Sequence, residues 1–281
     1  MTVESLLTVN NLGTNPESVV NNLERASVQS LYRSTLKIQM DIYLDEILRY
    51  LGNHPEWLTA KAVLDLGCGP GDLIAHLSGH CPDKFYTGVD INEAFIKTAR
   101  EQTSERNNCE FCCADLYDFN EGVYDVIILR AVLQHLDDPN RFMQHVSRLL
   151  NDNAAMIFND TPNENFIVSS PAIPTFDDFY NQLGKAQRAG GGNRDCLAEL
   201  EGSLEEHGFA LIDSCDRAIP ITTDENRLRM IQYLILACFV TKQMFSMRVD
   251  IAGLFDDLLN WYGSEAPAME VKTKWMMIRV Q

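Results

Sequence analysis

The chain has 281 residues, of which 46% are hydrophobic and 22% charged, and its formal net charge is −17. This is the composition of a globular protein with room for one core and a cap. A surface this negative repels phosphate backbones, so no nucleic-acid partner is expected. The longest apolar run, Tyr233–Val240, is too short to span a bilayer, so no membrane partner is expected either.

Eight cysteines are scattered along the chain without paired CxxC motifs, which argues against structural zinc, and no metal site is expected. The first eleven residues lack the basic and apolar regions of a secretory signal. Reduced thiols in a cytoplasmic protein are the simplest interpretation.

The N-terminal part divides into two predicted pieces. Residues 1–20 are polar and predict a loose arm. From Pro16 to Leu51 the pattern becomes helical, with apolar side chains recurring every three or four positions, which predicts an amphipathic helix. We expect 1–58 to form an N-terminal arm and helix ahead of the main fold.

Beyond this point, strand-like and helix-like segments alternate. The predicted strands are 62–65, 85–89, 109–114, 124–130, 154–159, 208–215 and 272–280, and the predicted helices between them are 71–79, 92–105, 139–150 and 195–207. The alternation predicts a doubly wound α/β fold with a seven-stranded, mostly parallel sheet. Right-handed crossovers place the strand C-termini at one edge, where such folds bind ligands.

Two segments exceed a minimal core. Residues 161–194 are rich in Pro, Asn, Gly and aromatic residues and are interpreted as a lid-like insertion within an α/β core of 59–223 with 268–281. Residues 224–267 are predicted to be a helical cap insertion rich in aromatic and methionine side chains. This insertion could pack as the core of a subdomain, and part of it could also cover an acceptor pocket. The two roles are compatible.

The most informative run is Val63–Asp72, which reads VLDLGCGPGD. It predicts a short strand ending in an acid, a turn with glycine at every second position, and a helix. Glycines adopt positive φ and let a ligand approach the backbone closely. Strand, glycine turn and helix N-terminus together form the nucleotide-binding corner of doubly wound sheets.

The spacing of acids indicates which nucleotide fits. Asp90 follows Asp65 by 25 residues, and Asp115 follows Asp90 by the same interval; a ribose-binding carboxylate lies ~20 residues after such a motif. A dinucleotide fingerprint has Gly or Ala where this chain has Asp72, and Asp65 would face a pyrophosphate unfavourably. The pattern favours a ligand without phosphates, such as S-adenosylmethionine. A nicotinamide dehydrogenase stays open on the fold alone.

Four motifs in order carry a family resemblance. DLGCGPG at 65–71, GVDI at 88–91, ADL at 114–116 and YDVIILRAVLQHL at 124–136 resemble the class I S-adenosylmethionine-dependent methyltransferases. The similarity covers about residues 60–160 and is strongest to the small-molecule branch, which includes ubiquinone/menaquinone C-methyltransferase-like proteins. It implies a Rossmann-like methyltransferase fold with S-adenosyl-L-methionine as cofactor.

The resemblance also implies the cofactor-binding residues. They are Arg33, Asp65, Gly67, Cys68, Gly69, Gly71, Asp90, Ile91, Asp115, Leu116, Arg130 and Gln134. The glycines would lie against the methionine part, and Asp65 would face the ammonium. Asp90 can accept both ribose hydroxyls, with Ile91 against the adenine. The Asp115 carboxylate and the Leu116 backbone would meet the adenine edge.

Several candidate residues have alternative roles. Asp65 could instead cap the turn that follows it, and Asp115 could instead be the N-cap of the Leu116–Phe119 turn. Arg33 either closes over the cofactor carboxylate or is a surface residue. Arg130 either contributes its backbone carbonyl near the methionine end or pairs with a carboxylate through its side chain. His135 is the candidate catalytic residue, as a general base, with a structural role as its alternative.

The predicted activity is methyl transfer to a small apolar or aromatic molecule of secondary metabolism, by in-line displacement. Orientation of the reactants supplies much of the acceleration in such reactions, and a base is needed only if the acceptor arrives protonated. Non-methylating chemistry on the same cofactor, such as cyclisation or cofactor modification, and a non-catalytic binding subunit are the alternatives. Homodimer formation is also open.

Overall fold

The computed structural model describes residues 3–136, 138–161 and 166–281. Within them lie eight strands: β1 (Ala62–Leu66), β2 (Phe85–Asp90), β3 (Cys109–Cys113), β4 (Tyr124–Arg130), β5 (Leu150–Asp160), β6 (Ile167–Ser170), β7 (Phe209–Pro220) and β8 (Ala268–Val280). The α-helices are α1 (Val3–Leu6), α2 (Val9–Thr14), α3 (Pro16–Arg25), α4 (Val28–Gly52), α5 (Pro55–Thr59), α6 (Asp72–His80), α7 (Glu93–Gln102), α8 (Pro139–Val146), α9 (Pro174–Ala189), α10 (Cys196–Gly202), α11 (Asp224–Phe245) and α12 (Ile251–Tyr262).

The strands form one sheet in the order β3-β2-β1-β4-β5-β8-β6, with β7 also paired to β8. β1 to β5 are mutually parallel, whereas β8 runs antiparallel to β5 and β6. The predicted fold class is therefore confirmed. The sheet has one strand more than expected, because β6 forms inside the segment interpreted as a lid-like insertion.

The chain divides into two compact units. The core unit comprises Leu44–Asn163, Gly190–Arg217 and Thr273–Gln281, and the helical unit comprises Met1–Tyr43, Glu164–Ala189 and Ala218–Lys272. The core unit holds an apolar cluster built from β1, β4 and β5 with α8 and α10, including Leu64, Ile127, Met156, Phe142 and Leu200. They lie on buried faces of the strands and on the apolar faces of the helices, which pack against each other.

The helical unit corrects one expectation. The polar segment predicted to be a loose arm is instead helical, because α1, α2 and the first half of α3 lie there. Apolar side chains spaced between the polar ones, among them Leu7, Leu12 and Val19, are buried. The Thr8 hydroxyl caps α2 by accepting the Asn11 N–H.

The α/β segments of the core unit position a set of side chains at one edge of the sheet. α6 begins after Gly71, whose φ is 83°, and α7 begins at Asn92, whose side chain accepts the N–H groups of Ala94 and Phe95. Both helices therefore start directly beyond the C-terminal ends of β1 and β2. Among the described helices, none is long and apolar enough to cross a membrane.

Candidate functional site

The acids predicted from spacing lie at the C-terminal ends of three adjacent parallel strands. Asp65 of β1 is level with Gly88 of β2, so Asp90 lies two residues further along the strand direction. Asp90 is level with Cys113 of β3, and Asp115 again lies two residues beyond. The three carboxylates therefore form a staircase along one edge of the sheet.

A glycine turn joins β1 to α6 at this edge. The φ angles of Gly67, Gly69 and Gly71 are 79°, 55° and 83°, all in the region that side chains disfavour. A Cβ on Gly67 would lie 2.4 Å from a methyl carbon of Val132. The turn therefore depends on glycine for its conformation and, at position 67, also for space.

Asp90 fastens this turn to the end of β2. Its Oδ2 accepts the Gly69 N–H at 2.9 Å and its Oδ1 accepts the Asn92 N–H at 2.8 Å. A carboxylate has about four lone-pair positions, so each oxygen keeps room for another donor. The neighbouring Ile91 side chain is 69% exposed and offers an apolar surface beside the carboxylate.

Asp115 follows β3 and begins a tight turn. Its Oδ1 accepts the Tyr117 N–H at 2.8 Å, and its backbone oxygen accepts the N–H groups of Asp118 and Phe119. The carboxylate therefore stabilises its own turn through one of its two oxygens. Asp115 is exposed and Leu116 is half-buried, so both are accessible from the sheet edge.

Asp65 is buried, with 3% of its surface exposed. Burial raises the pKa of its carboxyl to about 7, the Arg130 cation opposes the shift, and the Asp90 charge adds to it. A cation placed beside Asp65 would favour its ionised form. This is the environment that suits an ammonium group.

The thiol of Cys68 is also buried, and burial with the charges of Asp65 and Asp90 raises its pKa well above the usual value. Its backbone N–H donates to Val89 at 3.0 Å. The side chain therefore acts as a small uncharged filler inside the glycine turn.

Sequence reasoning missed a second group of charges, at the ends of β4 and β5. Arg130 is level with Asn159, so Asp160 lies one residue further along β5. Asp160 and Arg194 are 6% and 8% exposed. Burial raises the pKa of Asp160 to about 7, while the Thr161 N–H and the cations Arg194 and Arg130 oppose this shift. An acid directly after a predicted strand, the same signal as at Asp65, would have found Asp160.

Gln134 and His135 lie in a short 3₁₀ turn, Leu133–His135. The Gln134 backbone oxygen accepts the Asn193 N–H at 3.0 Å, which brings the segment carrying Arg194 to this turn. Desolvation by the surrounding protein, and then the Arg194 cation, lower the pKa of His135. The residue keeps more than a third of its surface exposed, and its imidazole is neutral at pH 7.

Arg33 is the predicted site residue that belongs to the helical unit. It is exposed on α4, in the part of that helix that belongs to the helical unit. The other predicted residues all belong to the core unit. A role for Arg33 toward the cofactor stays a prediction.

The residues present fit S-adenosylmethionine. A glycine turn leaves its backbone open to a ligand, Asp90 keeps acceptor capacity for a diol, and Asp65 suits a cation. Within the described ranges, His, Cys, Asp and Glu form no cluster of three that could hold a metal ion.

A family model described as a methyltransferase domain matches residues 64–158. These residues form a methyltransferase domain. The match spans the glycine turn, Asp90, Asp115 and the β4–β5 segment, so the resemblance inferred from four motifs is confirmed, with S-adenosylmethionine as the methyl donor. The chain is an enzyme that transfers methyl groups to small molecules.

One relative is a ubiquinone biosynthesis O-methyltransferase from Coxiella burnetii. It is 28% identical over 191 residues, which cover 65% of this chain and 78% of that protein. Among solved structures, the [4+2]-cyclase SpnF has a TM-score of 0.52 at 16% identity, covering 84% of this chain and 80% of its own. The StiE O-methyltransferase domain has a TM-score of 0.50 at 14% identity, covering 85% and 74%. At these identities the structures show a shared fold.

Proposed function

We propose that this enzyme transfers a methyl group from S-adenosylmethionine to an oxygen atom of a small aromatic molecule. The observation that carries the proposal is the staircase of Asp65, Asp90 and Asp115 beside a glycine turn with three positive φ angles. Its chemistry matches an ammonium, a diol and an adenine edge better than a pyrophosphate, because two negative groups would repel. The O-methyltransferase names of the relatives favour oxygen as the acceptor atom.

Each residue has a role in this proposal. Asp90 accepts the ribose hydroxyls, Asp65 faces the ammonium, and Asp115 with the Leu116 N–H meets the adenine, against which Ile91 packs. Bound S-adenosylmethionine supplies an electrophilic methyl group on a sulfonium. The carboxylates grip the ends of the cofactor and leave its methyl face uncharged, which avoids stabilising the sulfonium more than the transition state.

Gln134 and the side chain of Arg130 border the methionine end in this proposal. In this proposal His135 keeps its structural alternative and does not act as the base. We further propose that the protein works in a reducing compartment such as the cytoplasm, on a secondary metabolite. All eight of its cysteines are free, which fits such a compartment. Homodimer formation, the lid-like role of 161–194 and the cap role of 224–267 stay predictions.

The test is transfer of an isotopically labelled methyl group. Purified enzyme is incubated with methyl-labelled S-adenosylmethionine and a panel of phenols, catechols, enols and carboxylic acids. We expect an acceptor that gains the mass of one labelled methylene unit, together with an equal amount of S-adenosylhomocysteine. Failure to label any acceptor class at oxygen would contradict the proposal.

The similarity to SpnF keeps a second chemistry in view, because that neighbour is named as a cyclase. The same assay separates the two. A product with unchanged mass, formed only when cofactor is present and without release of S-adenosylhomocysteine, would indicate non-methylating chemistry.

A further inference from the structure

Asp160 ends β5 with a buried oxygen that the protein leaves unused. Its Oδ1 accepts the Thr161 N–H at 2.8 Å. Its Oδ2 is buried and has no hydrogen-bond partner among residues 3–136, 138–161 and 166–281. Buried polar atoms in native proteins are nearly always hydrogen-bonded. An orphan acceptor at a ligand-binding edge therefore indicates a donor that the ligand brings.

The strand order gives this oxygen its place in the site. β5 lies beyond β4, on the side of β1 away from β2 and β3. With the ribose at Asp90 and the adenine at Asp115, as in the proposed function, the reacting end of the cofactor points toward β1 and β4. Asp160 therefore lies on the side left for the acceptor.

The groups around Asp160 keep its carboxylate available. Arg130 from β4 and Arg194 from the segment before α10 favour its ionised form through space, and hydrogen bonds from the backbone N–H groups of Thr161 and Gln134 to the carboxyl group also favour it. The Asp160 charge also acts on Cys196 of α10, where it adds to the rise in the pKa of the thiol that burial causes. None of these groups donates to Oδ2 within the described ranges.

We propose that Oδ2 of Asp160 accepts the hydrogen bond of a neutral acceptor hydroxyl and takes its proton during methyl transfer. The inference rests on the proposed function. The O–H bond of the acceptor breaks, and its electron pair stays on oxygen. That oxygen forms a bond to the methyl carbon as the carbon–sulfur bond breaks with its pair left on sulfur. The proton passes from Asp160 to solvent after release of the products.

The chemistry of Asp160 suits this step. Burial raises its pKa to about 7 against the opposing cations and N–H groups, and a general base works best when its pKa is near the working pH. A carboxylic acid acceptor arrives already ionised and has no proton for Asp160 to remove. The substrate class is therefore a phenol or catechol rather than a carboxylate.

The experiment compares two acceptors that differ in acidity. At pH 8 catechol still arrives neutral, whereas 4-nitrocatechol arrives largely ionised and needs little help from a base. We expect Asp160→Asn to lower kcat on catechol by roughly 10²–10⁴-fold and on 4-nitrocatechol by less than about tenfold. Calorimetry should show an unchanged affinity of Asp160→Asn for S-adenosylhomocysteine. Asp152→Asn, an exposed acid near the start of the same strand, is the matched control and should keep wild-type kcat on both acceptors.

An equal loss on both acceptors, no loss on either, or a loss of affinity for S-adenosylhomocysteine would contradict the role of Asp160. If Asp160→Asn does not fold, the wild-type pH profile serves instead. There kcat on catechol should rise as the pH increases through about 7, whereas kcat on 2,4-dinitrophenol, which is ionised throughout this range, should change less. Identical profiles would overturn the inference. A wild-type enzyme that methylates neither compound nor any other hydroxyl acceptor would contradict the proposed function itself.

Discussion

At the scale of single residues, the acids of this site fall into two kinds. Asp90 and Asp115 are stabilised by backbone N–H groups at the start of a helix or turn. Asp65 and Asp160 are buried, and burial raises the pKa of each carboxyl to about 7. The first kind holds a fixed charge for hydroxyl and amine donors. The second kind changes its charge when a cation or a proton arrives.

Replacing Asp90 tests the first kind. Asp90→Ala removes both the ribose acceptor and the bond to the Gly69 N–H, so we expect affinity for S-adenosylhomocysteine to fall at least about tenfold. Isothermal titration calorimetry measures this. Asp83→Ala, a change of an exposed acid before the opposite end of β2, is the control. Unchanged affinity in Asp90→Ala would remove Asp90 from the ribose role.

Replacing His135 separates a structural residue from a base. His135→Ala should retain measurable turnover on the acceptor found in the panel, because the proposal assigns no proton transfer to His135. Initial rates and calorimetry on the same preparation give the answer. Complete loss of turnover with intact affinity for S-adenosylhomocysteine would make His135 the base.

Replacing Asp160 also tests the electrostatics of burial. An aspartate has a pKa near 3.8 when unfolded, and that of Asp160 is about 7 in the folded chain. The folded chain therefore binds more protons between these values, and this group costs stability as the pH rises toward 7. Relative to wild type, the free energy of unfolding of Asp160→Asn should therefore increase as the pH rises from 5 to 8, by on the order of a few kcal/mol. Denaturant unfolding at both pH values measures it, with Asp152→Asn as control. A difference independent of pH would contradict the assignment.

At the scale of elements, the sequence was most predictive where local pattern and tertiary role agree. The apolar run before Asp65 predicted a strand, and the three closely spaced glycines after it predicted a turn with positive φ angles that leads into α6. The structure has all three features. Residues 3–15 were misread because their polar composition outweighed a few buried leucines. β6 was missed because its pairing with β8 joins segments about a hundred residues apart.

The candidate site shows the same limit. Asp65, Asp90 and Asp115 could be predicted from the strand ends and from their spacing. Arg194 could not, because the neighbouring Asn193 N–H bonds to the Gln134 backbone oxygen, a long-range hydrogen bond that no local sequence pattern predicts. Arg194 acts electrostatically on Asp160. Long-range pairing of this kind is invisible to periodicity.

The glycine turn makes its own prediction. Gly67→Ala adds a Cβ 2.4 Å from Val132 at a φ of 79°, so we expect a loss of about 2 kcal/mol in the free energy of unfolding and weaker binding of S-adenosylhomocysteine. Gly52→Ala is the matched control: nothing lies within 4 Å of its added Cβ, and its stability should be unchanged or slightly higher. Equal behaviour of the two variants would show that the turn tolerates a side chain.

At the scale of the whole molecule, the account depends on which ligand the strand edge accepts. A net charge of −17 and acids at the ends of β1, β2 and β3 disfavour a pyrophosphate. Calorimetric titration of the wild-type protein with S-adenosylhomocysteine and, separately, with NADH tests this most directly. We predict saturable binding of S-adenosylhomocysteine and none of NADH. Binding of NADH with no response to S-adenosylhomocysteine would contradict the account.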